Sequence, residues 1–192
     1  TYERYDMVDL FKAPQNPPWV GDPRVAWIRG DVCSPIFPAE SYDRVLAMCV
    51  LHHLSDPADA LRNIRTWMKP GGEFTFFLPS DPGILNRLNR ALVVAPRARR
   101  LGYAHYEVFS AREHRNHYWA LRHEILHQFA GFDIRTRYWP LGIPAADLSV
   151  FSVWAVIRAL GDVVVDHRQN ELVTSAQKTA LITHARSRGN KS

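Results

Sequence analysis

A chain of 192 residues with 46% hydrophobic and 22% charged residues has the make-up of one ordinary globular domain, long enough to bury a substantial core. Its formal charge of +5 comes largely from Arg97, Arg99 and Arg100 and from the tail Arg186–Lys191. No nucleic-acid-binding motif accompanies these clusters, so they read as solvated surface and no nucleic-acid partner is expected. No run approaches the roughly 18 apolar residues of a membrane span. The two cysteines, Cys33 and Cys49, have no metal-type spacing, which points to reduced thiols and a cytoplasmic protein.

In chain order, Arg4 to Asp9 is a short strand with an acid at its end. Lys12 to Pro23 is rich in proline and polar residues and reads as a loop. Arg24 to Gly30 alternates as a second strand and is followed by Asp31. Tyr42 to Met48 is a third strand, stopping at a Leu-His-His-Leu turn. The helix signals are sharpest over Ser55–Met68: Asp56 can cap, Pro57 suits the first helical position, and Leu61, Ile64 and Met68 recur at helical spacing. Pro70, Gly71 and Gly72 are expected to stop that helix and turn the chain into a strand over Glu73–Leu78. A second helix is expected over Ile84–Val94, with Leu85, Leu88 and Leu92 on one side. A third is expected over Ala120–Ala130, with Leu121, Ile125 and Phe129 on one face and Gly131 as its stop. Phe132–Trp139 and Val150–Ile157 read as two strands forming an antiparallel end to the sheet, and 169–186 as a terminal helix. The strand–loop–strand–helix–turn–strand order is that of a parallel, doubly wound α/β sheet, whose ligands bind outside the carboxyl ends of the strands.

Several constellations carry chemistry. Asp31, with Val32 beside it, stands at a strand end where a carboxylate can accept from an adenine amino group while an apolar side chain packs on the ring. An ordinary turn aspartate is the plain alternative. Asp9 suits two vicinal ribose hydroxyls, with Asp6 as an alternative placement. Ala47–Leu54 should line the floor of the cleft, since a strand ending in small and apolar residues lets a ligand approach the backbone closely. The adjacent His52 and His53 need not point the same way, and a packed, partly buried histidine is the plain alternative to one facing the cleft. The run Ala111–Tyr118 is dense in titratable groups, and His114 and His117 could take a proton from a hydroxyl or amine. A charged surface loop is the competing reading there. His123-Glu124-Ile125-Leu126-His127 matches the zinc-hydrolase pattern H-E-x-x-H. It lies opposite the apolar stripe of its helix with no further ligand downstream, so no metal is expected.

The stretch Tyr-Asp-x-Val-x5-Leu-His-His-Leu-x-Asp-Pro from Tyr42 to Pro57, followed by Lys69-Pro70-Gly71-Gly72, resembles class I S-adenosylmethionine-dependent methyltransferases of the small-molecule-modifying branch. The resemblance covers about residues 4–80 well and 130–157 loosely. It implies a Rossmann-like, mostly parallel sheet with an antiparallel last strand. It implies S-adenosylmethionine as cofactor and an in-line transfer of its methyl group to an oxygen or nitrogen of a small molecule, such as a sugar, a lipid head group or a secondary metabolite. It implies adenine recognition by Asp31 and Val32, ribose recognition by Asp9, contacts to the methionine portion from Met48, Cys49 and His53, and acid–base roles for His52, His114 and His117. Residues 1–160 then form the methyltransferase-like domain, with 81–120 a substrate-recognition insertion and 161–192 a C-terminal helix and basic tail. A homodimer is compatible with this reading. The family's glycine loop has no counterpart, because the sequence contains no Gly-x-Gly. The first strand is therefore expected to be missing and the domain incomplete at its N-terminus. The alternatives are a non-catalytic methyltransferase-like binding protein and, least favoured, a zinc hydrolase acting through His123 and His127.

Overall fold

In a computed structural model of the protein, residues 2–15 and 17–161 are described; the helix expected at 169–186 and the basic tail lie outside them. Tyr5–Asp9 (β1) and Val25–Arg29 (β2) pair in parallel, with Tyr5 opposite Val25 and Asp9 opposite Arg29. Tyr42–Met48 (β3) pairs in parallel with Met68–Pro79 (β4). Phe151–Ile157 (β6) runs antiparallel between β4 and Asp133–Trp139 (β5), so the larger sheet has the order β3-β4-β6-β5. The α/β architecture with an antiparallel last strand agrees with the expected fold class. The six strands described fall into two sheets, where the sequence led us to expect one.

Alternation in β4 and β6 decides where the core lies. Phe74, Phe76 and Leu78 of β4 and Trp154 and Val156 of β6 share one buried face. Pro57–Trp67 (α1) and Tyr118–Gln128 (α5) contribute Leu61, Ile64, Leu121 and Ile125 to the same core, joined by Phe129 just past α5. Burying each such side chain stabilises the fold by about 1.5–3 kcal/mol. On β3, by contrast, Leu46 and Met48 are exposed, and Val153 and Trp139 are exposed on β6 and β5.

The start of α1 follows the sequence closely: the Asp56 side chain accepts from the Asp59 amide at 3.1 Å, with Pro57 in the first turn. Its end differs from expectation. β4 begins at Met68, and Lys69–Gly72 bulge out of it, because Met68 pairs with Tyr42 while Glu73 already pairs with Arg44. Glycine is required at the inside of this bulge. A Cβ on Gly72 would stand 2.9 Å from the Lys69 carbonyl oxygen and 3.2 Å from that of Tyr42.

The region 81–120 departs further from the sequence reading. Ile84–Asn89 (α2) widens into a π-helical stretch at Arg90–Val94 and continues as Ala95–Arg100 (α3). The wider turn shifts the helical register, and the expected apolar side is not buried: Leu88 is 50% and Leu92 73% exposed. A further helix, Tyr106–Glu113 (α4), occupies what reads in sequence as part of a loop. Val108 and Phe109 on it are exposed, so it carries no apolar stripe for a sequence reading to find.

Candidate functional site

β1 ends on Asp9 and β2 is followed by Asp31, and the two ends are tied together: the Gly30 amide donates to the Asp9 carbonyl at 3.0 Å. The Asp9 side chain accepts from the Phe11 amide at 3.0 Å, and Asp31 accepts from the Cys33 amide at 2.9 Å. Both acids are exposed, and each uses one carboxylate oxygen to turn its own loop. Val32 is half-buried against the core, and its carbonyl accepts from the Asn63 side chain at 3.0 Å, anchoring this loop on α1. Burial, with Asp31 beside it, pushes the Cys33 thiol up to about 11.

β3 ends at Met48, which is exposed, as is Cys49. Cys49 takes a left-handed backbone with φ +56°, a conformation rare outside glycine that turns the chain sharply off the strand. A single turn of 3₁₀-helix, Leu51–His53, follows. It buries Leu51 in the core and His52 to 5% exposure, and leaves His53 exposed.

His114, at the end of α4, is brought against this turn. The amides of Arg115 and Asn116 donate to the His52 carbonyl at 3.0 and 3.2 Å, and the Asn116 side chain donates to the Leu54 carbonyl at 2.7 Å. Three imidazoles consequently face one another, with ring centres 4.0 Å apart for His52 and His53, 4.6 Å for His52 and His114 and 5.2 Å for His53 and His114. Burial, reinforced by the two neighbouring imidazoles, pulls the His52 pKa down to about 4, so it is neutral at physiological pH.

Asp81 is a residue of this site that sequence reasoning missed. It follows β4 as Asp31 follows β2, so the same signal of an acid after a parallel strand was available. Its carboxylate accepts from His114 Nδ1 at 3.3 Å and is paired with Arg90, which also bonds Ser110. The hydrogen bond from His114, aided by the Arg90 charge, holds the Asp81 carboxyl below its ordinary range. His117, named with His114 from sequence, is exposed at the cap position before α5 and stands outside the three-ring group.

His123 and His127 are exposed on α5, and Glu124 accepts from the Gln128 side chain at 2.9 Å. Among the described residues no third metal-type ligand joins them. No helix of the described residues is long and apolar enough to cross a membrane.

Residues 5–76 match the family model of a methyltransferase domain. Among solved structures, the chain is similar to a Burkholderia thailandensis 1,6-didemethyltoxoflavin-N1-methyltransferase holding 1,6-didemethyltoxoflavin and S-adenosylhomocysteine. The identity is 18% and the TM-score 0.52, covering 81% of this chain and 61% of that one. It is also similar to the YcgJ protein of Bacillus subtilis, at 14% identity and a TM-score of 0.50, covering 83% of this chain and 84% of that one. The chain spans 65%, 45% and 61% of the length of the first three solved structures it matches. A search of curated protein sequences finds no match. The resemblance to class I methyltransferases read from the sequence thus holds in both the domain match and the Rossmann-like fold.

Proposed function

We propose that this methyltransferase-type chain serves S-adenosylmethionine-dependent methyl transfer to an oxygen or nitrogen of a small molecule. The observation that carries the reading is the domain match over residues 5–76, which contains both strand-end acids and the turn at Cys49–His53. The residues fit a nucleoside cofactor. Asp9 and Asp31 are exposed at the ends of neighbouring parallel strands and each commits one oxygen to its own loop. Asp9 would accept from vicinal hydroxyls and Asp31 from an exocyclic amine, with Val32 against the ring. Met48, Cys49 and His53 would flank the amino-acid portion. When bound, the cofactor supplies an electrophilic methyl group on a sulfonium sulfur.

On the acceptor side, His114 and His117 are the exposed or half-buried imidazoles beside Asp81. A neutral imidazole there would take the proton that an attacking hydroxyl releases. His52 is buried within the turn, which suits it to shaping the site. The likeness to a 1,6-didemethyltoxoflavin-N1-methyltransferase is compatible with a small acceptor.

Calorimetric titration of S-adenosylhomocysteine into the protein tests the reading. Binding should be measurable, and Asp31→Ala should weaken it by about 1–3 kcal/mol, the loss expected for a removed hydrogen-bond partner. A folded protein that binds none, or an Asp31→Ala variant of unchanged affinity, overturns the assignment of this site.

A further inference from the structure

We infer that His52, His53 and His114 form a site for a divalent transition-metal ion, with zinc the best match to an all-imidazole donor set. One ring nitrogen from each of the three lies within 4.8 Å of the others. Tetrahedral coordination at Zn–N distances of about 2.0–2.1 Å needs such nitrogens about 3.3 Å apart, which small side-chain rotations would achieve.

The hydrogen bonds around the rings favour ligation. His53 Nδ1 lies 2.9 Å from the Glu113 carbonyl, which can only accept, so this nitrogen carries the proton and Nε2 keeps its lone pair. His114 Nδ1 stands in the same relation to the Asp81 carboxylate. Both arrangements are the outer-shell contacts that orient metal-bound imidazoles and raise their basicity. His52 supplies the independent sign. It is 95% buried, and its Nδ1 has no hydrogen-bond partner, a costly state for a polar atom that ligation of a metal through this nitrogen would relieve.

The backbone holds the three rings in place. Arg115 and Asn116 clamp the chain after α4 onto the His52 carbonyl, so His114 cannot leave without breaking two amide hydrogen bonds. Three protein ligands with a fourth position left over is the arrangement of zinc sites that bind an exchangeable ligand. This site is separate from the H-E-x-x-H pattern, and it revises the expectation of no metal, which rested on that pattern. With the ion bound, His53 and His114 are ligands, and His117 is the imidazole beside Asp81 left to take a proton.

The test is calorimetric titration of zinc chloride into the chelator-treated full chain, purified without a histidine tag, with cobalt(II) absorption as an optical check on geometry. One zinc per chain and a tetrahedral cobalt spectrum are expected. His53→Ala and His114→Ala should each abolish stoichiometric uptake, and Asp81→Asn should weaken it about 10–100-fold. His123→Ala should bind as the parent does. Circular dichroism confirms folding of each variant, and His53, being exposed, is the least disruptive to replace. The inference is overturned if the folded protein takes up no zinc, if uptake survives both His53→Ala and His114→Ala, or if it is lost in His123→Ala. S-adenosylmethionine is absent from this titration, so its outcome is independent of the methyl-transfer reading.

Discussion

The Tyr42 hydroxyl donates to the Asp6 carboxylate at 2.7 Å, joining the first strand of the large sheet to the first strand of the small one. Among the described residues, β1 is paired only with β2 and β3 only with β4, so no backbone ladder connects the sheets. The Asp6 side chain is 4% exposed and also accepts from Arg4 Nε at 2.8 Å. Burial alone would raise this carboxyl, but the hydrogen bonds from Tyr42 and Arg4 outweigh it and hold its pKa below the ordinary value.

Tyr42→Phe removes one partner and leaves a buried carboxylate short of a donor. We expect a loss of about 1–3 kcal/mol in urea unfolding. Because the folded-state pKa of Asp6 lies below its unfolded one, its contribution is complete above about pH 4 and is lost as pH falls through the folded value. The parent should therefore lose stability on acidification below about pH 4 more steeply than Tyr42→Phe does. Equal acid profiles, or an unchanged midpoint, would show that this bond contributes nothing.

Gly72→Ala should be costly for a reason confined to the backbone. The added methyl would meet carbonyl oxygens of Lys69, Tyr42 and Asp43 at 2.9, 3.2 and 3.3 Å, none of which can move without disturbing the β3–β4 pairing. Overpacking of this kind costs about 1–3 kcal/mol. Thermal melting of the variant checks it, with Gly102→Ala as a contrast, since a Cβ there meets no atom within 4 Å and only its φ of +93° opposes the change.

Much of this architecture was legible in the sequence wherever pattern and chemistry agreed. β3 has the limits that its apolar run suggested, and Asp56 caps α1 as its position before Pro57 implied. The stripe Leu121, Ile125 and Phe129 is fully buried. Legibility ended where packing replaces pattern. α4 exposes Val108 and Phe109, so it has no periodic signal, and over 84–94 Leu88 and Leu92 are exposed while the helix widens at Arg90–Val94, which no local pattern announces. His52 and His114 could each be named as candidates, but their meeting depends on a loop closing across 62 residues onto the His52 carbonyl. No local spacing encodes that contact.

Truncation in the shared core should separate it from the surface of 84–109. Phe76→Ala removes a fully buried ring stacked 4.7 Å from Phe74 and 5.7 Å from Trp154, and should cost about 3–5 kcal/mol. Leu92→Ala, on a side chain 73% exposed, should change stability by no more than about 0.5 kcal/mol. A comparable loss in the two variants would mean that the apolar side of 84–94 is buried after all.

The two thiols should differ in reactivity. Cys33 donates from Sγ to the Asp56 carbonyl at 3.3 Å, and burial with the nearby Asp31 charge lifts its pKa to about 11. Cys49 is exposed on its strained turn, and burial alone raises it. Only the thiolate attacks an alkylating agent, so the fraction ionised at pH 8 limits each rate. Iodoacetamide followed by peptide mass spectrometry should label Cys49 first, with Cys33 accelerating as pH approaches 11. Asp31→Asn removes one of the causes that raise the Cys33 thiol and should speed its labelling at fixed pH while leaving Cys49 unchanged. Labelling of Cys33 ahead of Cys49 in the folded protein would contradict the placement of the Cys33 thiol inside the 31–34 turn. That turn also presents Asp31, so the same result would remove the geometry on which the nucleoside site rests.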